Sequence, residues 1–293
     1  MAVKKISFFV LGAQKSGTTY FHGLLSSDER ISLPVRKETH FFSDNKGKFD
    51  NGLSFYIGKY YRHSSGDAIL GEIDPEYLYF PKVPKRLYDA YPNARLIVLF
   101  RDPVKRAFSH YVMNYRRGTE VFTFEDALRL EDERISTGNI DEQSRFSYFS
   151  RGLYAEQVKR YLEFFPKEHM LFLRADDLYE NPSDVLIEFY KFVGLNPRAL
   201  PDSLDIARNE GGMPINMGVQ RFLANESRLK TLGKSIVPSS LRLGLHRFLE
   251  THNRRHGKFP EVNKKTMDNL RRHYKKDLSE LSEITEIDFS DWL

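Results

Sequence analysis

The stretch Gly12-Ala13-Gln14-Lys15-Ser16-Gly17-Thr18-Thr19 follows the apolar run Ile6–Leu11 and opens a helical pattern. A buried strand that feeds a glycine-bounded loop and then a helix aims successive main-chain N–H groups at one point. The helix dipole adds to their positive field, so the stretch reads as a cradle for a phosphate-like anion. Gly12 and Gly17 are five positions apart, as in the nucleoside-triphosphate loop G-x-x-x-x-G-K-[ST], but Thr18 stands where that loop carries its lysine. The lysine sits inside the loop instead, at Lys15. In the triphosphate loop the lysine runs alongside the β- and γ-phosphates and the next hydroxyl ligates magnesium. A mid-loop lysine points at a shorter anion chain, where it can meet a leaving-group oxygen. A tight turn with an exposed lysine is the bland alternative, and the complete strand–loop–helix context weighs against it.

Two further stretches carry chemistry-bearing residues. Leu96–Phe100 is an apolar run that ends in Arg101-Asp102-Pro103, with Arg106, Ser109, His110 and Tyr111 following. A guanidinium leaving the carboxyl edge of a strand, with a hydroxyl from the next helix, suits a second phosphate, although an Arg101–Asp102 pair that only caps the helix is as good a reading in isolation. Arg36-Lys37-Glu38-Thr39-His40-Phe41-Phe42 offers a carboxylate and an imidazole; on its own it reads more simply as a surface Lys37–Glu38 pair with His40 packed beside Phe41.

The elements that must hold these residues follow from the hydropathy pattern. Ile6–Leu11, Ile69–Ile73, Leu96–Phe100 and Met170–Leu173 are short continuous apolar runs bounded by turn or charged residues, the signature of strands buried on both faces. Helical patterns lie between them: Thr19–Leu25, Leu53–Tyr61, Val83–Ala90, Val104–Arg117 (opened by Pro103 and stopped by Gly118), a stretch begun by Thr123 with Asp126 in the capping-box position, Leu153–Phe165, and Pro182–Val193 stopped by Gly194. Strands alternating with helices imply an α/β fold with a mainly parallel, open sheet of about five strands, and a helical, polar C-terminal third. One domain over residues 1–293 is expected.

Composition narrows the classes. The 293 residues are 40% hydrophobic with 23 Phe and 16 Tyr, enough for a sizeable core. With 45 Lys and Arg against 40 Asp and Glu the charge is +5, which suits anionic ligands but is too weak to argue for nucleic acid. There is no cysteine, which excludes disulfides, thiolate nucleophiles and Cys-ligated metals. No apolar run approaches the ~20 residues a membrane span needs, and a cytoplasmic location is expected. His252 and His256 are four apart, but Arg254 and Arg255 flank the second and no third ligand is evident, so a metal-free site is expected. Residues 251–276 hold nine Lys and Arg against two acids, and 277–293 hold six acids; the plain reading is a solvated helix face followed by an acidic tail.

The loop resembles the 5′-phosphosulfate loop of sulfotransferases that use 3′-phosphoadenosine 5′-phosphosulfate (PAPS), nearer to the carbohydrate, heparan-sulfate-type and bacterial branch than to the aryl and steroid branch. The resemblance recurs at Lys37-Glu38-Thr39-His40-Phe41-Phe42, at Arg101-Asp102-Pro103, at Arg151-Gly152-Leu153-Tyr154, in Arg254-Arg255-His256-Gly257-Lys258, and in the closing Asp291-Trp292-Leu293. It implies that Gly12, Ala13, Gln14, Lys15, Ser16, Gly17, Thr18 and Thr19 hold the donor, that Arg101 and Ser109 take its 3′-phosphate, and that Gly257 and Lys258 close over it. Glu38 inherits the role of catalytic base, Lys15 that of stabilising the departing adenosine 3′,5′-bisphosphate (PAP), and His40 lines the acceptor site or shares the proton relay. Lys37, Tyr77 and Tyr154 fall on the acceptor side, with core packing equally open for Tyr154. Gly71-Glu72-Ile73-Asp74-Pro75-Glu76-Tyr77 departs from the branch, which usually has lysine where Ile73 stands, and this weakens the case for a highly sulfated polysaccharide. The expected acceptor is a hydroxyl on a small molecule, a glycan, a lipid or a carrier-bound acyl chain, with no nucleic-acid partner and no stable membrane insertion. A P-loop-type kinase and a non-catalytic nucleotide-binding module are the alternative readings.

Overall fold

The computed structural model describes residues 5–44, 46–62, 66–198, the single positions 214, 216, 218 and 220, and 259–293. The chain divides into two compact units, one formed by Met1–Arg106, Ser150–Asn209 and Arg271–Leu293, the other by Ala107–Phe149 and Glu210–Leu270.

The first unit is built on five parallel strands: β1 (Ile6–Gly12), β2 (Ile31–Ser32), β3 (Ile69–Ile73), β4 (Arg95–Phe100) and β5 (Met170–Arg174), in the spatial order β2-β3-β1-β4-β5. The four apolar runs are the four long strands. β2 has only two residues, too short to carry a periodicity, and it exists because β3 offers it a partner in the register Ile31↔Ile69 and Ser32↔Leu70. Phe8, Phe9, Val10 and Leu11 are fully buried, as a strand enclosed on both faces must be.

Helices α1 (Thr18–Ser26), α2 (Gly52–Tyr60) and α3 (Val83–Ala90) intervene between the first four strands, and α8 (Tyr154–Leu162), α9 (Ala175–Glu180) and α10 (Pro182–Val193) lie in the same unit. On one face Phe8, Val10, Ile73, Ile97 and Leu99 pack with Phe21, Leu24 and Leu25 of α1 and Val185, Leu186 and Phe189 of α10. On the other, Phe9 meets Phe42 and Tyr91, both at 5.7 Å between ring centroids. The punctuation residues act where expected: Gly194 ends α10 in the left-handed region at φ 79°. The closing segment is packing rather than chemistry, with Trp292 buried against Phe289 at 4.6 Å and under the Arg174 guanidinium at 4.9 Å.

Helix α4 (Pro103–Arg117) carries the chain into the second unit, where α5 (Phe124–Arg129), α6 (Glu131–Ile135) and α7 (Ile140–Phe146) follow. Thr123 accepts from the Asp126 amide at 3.2 Å and donates to the Asp126 carboxylate at 3.0 Å, so aspartate completes the cap in place of glutamate. The buried Glu120 is held by Arg134 at 2.7 Å and by the Tyr148 hydroxyl at 2.9 Å. The 22-residue helix Lys264–Thr285 spans the boundary between the basic and acidic runs.

The sheet leaves no room at the Phe8–Gly71 register pair: a Cβ on Gly71 would lie 2.0 Å from the tip of the fully buried Phe8 ring, itself wedged at 5.1 Å against Phe189. Gly71→Ala is therefore expected to destabilise the chain by about 2 kcal/mol or more through overpacking. Denaturant unfolding checks this; an unchanged midpoint would show that the ring has somewhere to go.

Candidate active site

β1 is the point at which the strand order reverses, with β3 on one side and β4 on the other, so the crevice at the carboxyl ends of β1 and β4 is where an open α/β sheet receives its ligand. Both anion-seeking motifs end there. The Ala13 amide donates to the Leu99 carbonyl at 2.8 Å, which ties the start of the loop to β4. Arg101, just past β4, donates through Nη1 to the Lys15 carbonyl at 2.9 Å. The structure thus brings Arg101 onto the loop that holds Lys15.

The loop conformation explains its residue types. A Cβ on Gly12 would sit 3.1 Å from the Pro75 carbonyl oxygen and 3.2 Å from Leu78 Cβ, so main chain must approach main chain there. Gly17 is the N-cap of α1 at φ 84°, and no side chain caps the helix. The first-turn amides therefore have no partner within the helix and face the loop opening. Lys15 is also left-handed, at φ 71°. Gln14 donates to Glu76 at 3.0 Å, and Glu76 in turn accepts from Arg151 at 2.7 Å, a buried ion pair with the guanidinium stacked at 4.3 Å on Tyr79. The fit to an anionic, phosphate-bearing donor rests on two features: uncapped helix amides and an approach only glycine permits.

The segment after α1 is drawn onto the same helix start. Lys37 Nζ donates to Thr19 Oγ1 at 3.0 Å and to Glu38 Oε1 at 2.6 Å. The Lys37–Glu38 pair of the simpler reading exists, and it is anchored at the mouth of the loop. Glu38 and His40 both adopt left-handed backbone, at φ 61° and 53°. Non-glycine residues in that region cost about 1–3 kcal/mol each and are held by their surroundings. The His40 amide donates to Asp74 Oδ2 at 2.6 Å, and the ring Nδ1 lies 3.2 Å from the same oxygen. Burial disfavours the charged imidazole, but the bond and charge of Asp74, with Glu76 and Glu38 nearby, outweigh it and raise the His40 pKa to about 9.

Beneath this turn lies a buried carboxylate that the motif spacing does not single out. Glu72, the register partner of Phe9 on β3, is fully enclosed. It accepts hydrogen bonds from Thr39 Oγ1, from Tyr56 and, at 3.2 Å, from Tyr77. Burial and then the Asp74 charge raise its pKa to about 7, against the pull of those hydroxyl donors. The signal was present in the sequence as a single acid inside an apolar run.

Other expected residues fall as follows. Tyr77 and Tyr154, which the resemblance assigns to the acceptor side, are fully enclosed; Tyr77 also receives the Phe42 amide at 3.3 Å, and Tyr154 donates to the Arg101 carbonyl at 2.8 Å. Ser16 is fully buried and lines the same interior as Tyr154. Phe41 and Phe42 are core residues, stacked among Phe49 and Tyr56. Ser109 lies half-buried on α4 within the second unit. His252, His256, Gly257 and Lys258 lie outside the described residues.

The comparisons with known proteins point to one family. The sulfotransferase domain model matches residues 5–209. Heparan sulfate glucosamine 3-O-sulfotransferase 6 of Mus musculus is 29% identical over 255 residues, covering 84% of this chain and 69% of its own length. Heparan sulfate glucosamine 3-O-sulfotransferase 3B1 of Homo sapiens is 27% identical over 280 residues, 96% of this chain and 63% of that protein. The crystal structure of a sulfotransferase from Alicyclobacillus acidocaldarius superposes with a TM-score of 0.72 at 24% identity over 98% of both chains, which shows the shared fold. An anion-shaped loop at the switch point of a parallel sheet, matched by the domain model along most of its length, leads to one conclusion: the chain belongs to the sulfotransferase domain family and is a PAPS-dependent sulfotransferase.

Proposed function

We propose that this sulfotransferase moves the sulfuryl group to an alcohol, with Glu38 as the general base and Lys15 at the leaving oxygen. The observation that carries the reading is the Lys37 bridge, which joins Glu38 at 2.6 Å to Thr19 at 3.0 Å and so sets a carboxylate at the helix end where the donor's anion fits. When bound, PAPS supplies the sulfuryl group and leaves as PAP. The uncapped amides at the start of α1 and the Lys15 ammonium offset the negative charge that gathers on the departing phosphate. Arg101, bonded to the Lys15 carbonyl, adds a guanidinium suited to the 3′-phosphate. Glu38 accepts the proton of the attacking hydroxyl, and Lys37 restricts where its carboxylate can point.

His40 takes a different part from the base. With its pKa near 9 the ring is an imidazolium at neutral pH, already holding the proton a relay would need it to receive. It serves as a fixed positive charge anchored on Asp74. The acceptor is read as a neutral alcohol on a sugar, lipid or acyl chain. The position where a lysine would meet a polyanion is Ile73, 1% exposed, and the neighbouring side chains Asp74 and Glu76 are acidic.

Incubation with PAPS and a panel of a glucosamine-containing oligosaccharide, octyl glucoside, a β-hydroxyacyl thioester and 4-nitrophenol, read by mass spectrometry for a gain of SO3, tests the reaction. Lys15→Ala and Glu38→Gln are each expected to lower turnover by about 100-fold or more while leaving the unfolding transition in place; wild-type-like turnover in either removes that residue's role. The His40 ring is expected to titrate near 9 by NMR and to fall toward or below 6.5 in Asp74→Asn, since burial then acts with less opposition. The folded pKa lies above the ordinary 6.5, so the His40–Asp74 contribution to stability is complete below that pH and is lost as the pH rises through about 9. A wild-type midpoint near 6.5 would show that Asp74 does not hold the charge.

A further inference from the structure

We propose that Glu72 is a positioning residue for sulfuryl transfer: from inside the sheet it accepts the Thr39 hydroxyl and thereby fixes the turn that presents Glu38 and His40. The inference rests on the reading of Glu38 as the base.

The geometry is specific. Thr39 is 1% exposed and stands between two left-handed residues, Glu38 and His40. Its one hydroxyl proton goes to Glu72 Oε1, while its oxygen accepts the Phe41 amide at 3.1 Å and lies 3.2 Å from Tyr77 OH. Tyr77 spends its own proton on Glu72 at 3.2 Å and accepts the Phe42 amide at 3.3 Å. Tyr56 donates to the other oxygen, Oε2. Three hydroxyl donors therefore converge on one enclosed carboxylate, and two of them also receive main-chain amides of the segment just after Glu38. Neither Lys37 nor Asp74 does this. Lys37 restrains the Glu38 side chain, and Asp74 restrains His40. Among the described residues, only the Thr39–Glu72 bond ties the side chain between them to a strand of the sheet.

A buried acid with three donors and no cation among its direct bonding partners is a costly way to fill a core, since an apolar side chain of similar size would need no partners. Its position gives it a use. A turn with two strained residues relaxes unless something outside it determines its shape, and a general base displaced by about 1 Å loses about 100-fold in rate.

The test measures kcat, PAPS KM, PAP affinity and thermal unfolding for Thr39→Val, Thr39→Ser, Glu72→Met, the Thr39→Val/Glu72→Met pair and Glu38→Gln, using PAPS and the best alcohol of the panel above. Thr39→Val and Glu72→Met are expected to lower kcat by about tenfold or more with PAP affinity within about twofold. The pair is expected to be no slower than either alone, because both remove one interaction, and Thr39→Ser is expected to restore most of the rate. Near-wild-type kcat in Thr39→Val, losses that multiply in the pair, or a Thr39→Ser as slow as Thr39→Val would overturn the proposal. If Glu72→Met does not fold, the valine and serine variants decide the matter. Glu38→Gln separates the two readings: if it stays active the base assignment fails, and if it is dead while Thr39→Val is wild-type-like only the role of Glu72 fails.

Discussion

The central strand constrains everything else in the site. β1 is hydrogen-bonded on both edges and buried on both faces, so its end is fixed in space by β3 and β4 before any loop is considered. The chain must leave the sheet at Gly12, where only a residue without a Cβ clears Pro75 and Leu78. The loop that follows is fixed at the crevice between β1 and β4 by the Ala13–Leu99 hydrogen bond. An anion cradle there needs no dedicated machinery beyond this exit, because the first amides of α1 are unpaired by the nature of a helix start.

Around that cradle the protein arranges charge in tiers. Cations (Lys15, Lys37 and Arg101) belong to the loop or bond to it. Carboxylates lie behind them: Glu76 holds Gln14, Asp74 holds His40, and Glu72 holds Thr39. Each acid holds a residue of the loop or of the turn after α1, and all three come from one short stretch at the end of β3 and the turn after it. Buried carboxylates are weak sources of stability. Concentrated under strained loops, they act through geometry: the backbone of residues 38–40 keeps a shape that isolated chain would abandon.

The same stretch carries the departure at Ile73. Ile73 is apolar and nearly inaccessible, and the acids beside it, Asp74 and Glu76, are buried as well. Burial disfavours a charged His40 ring, and Asp74, with Glu76 and Glu38 nearby, outweighs that burial.

Much of this was legible in residue order, and the rest was not, for a physical reason. Continuous apolar runs announce strands buried on both faces, and glycine spacing with a displaced lysine announces an anion loop, because both properties are local to a few consecutive residues. The two-residue β2 could not be seen, since it is a strand only through its pairing with β3. Glu72, Asp74 and Glu76 could be read as letters but not as partners: Gln14 and Glu76 are 62 positions apart, and Thr39 and Glu72 are 33 apart. Tyr77 and Tyr154 show the converse, since an aromatic at a motif position looks like a cleft wall until the sheet encloses it. The sequence by itself determined the strand-and-helix alternation and the chemistry of the loop, because these depend on side-chain type and near neighbours. Only the tertiary structure decided which carboxylate holds which turn, because hydrogen bonds between distant residues exist once the sheet has brought their strands together and water has been excluded from between them.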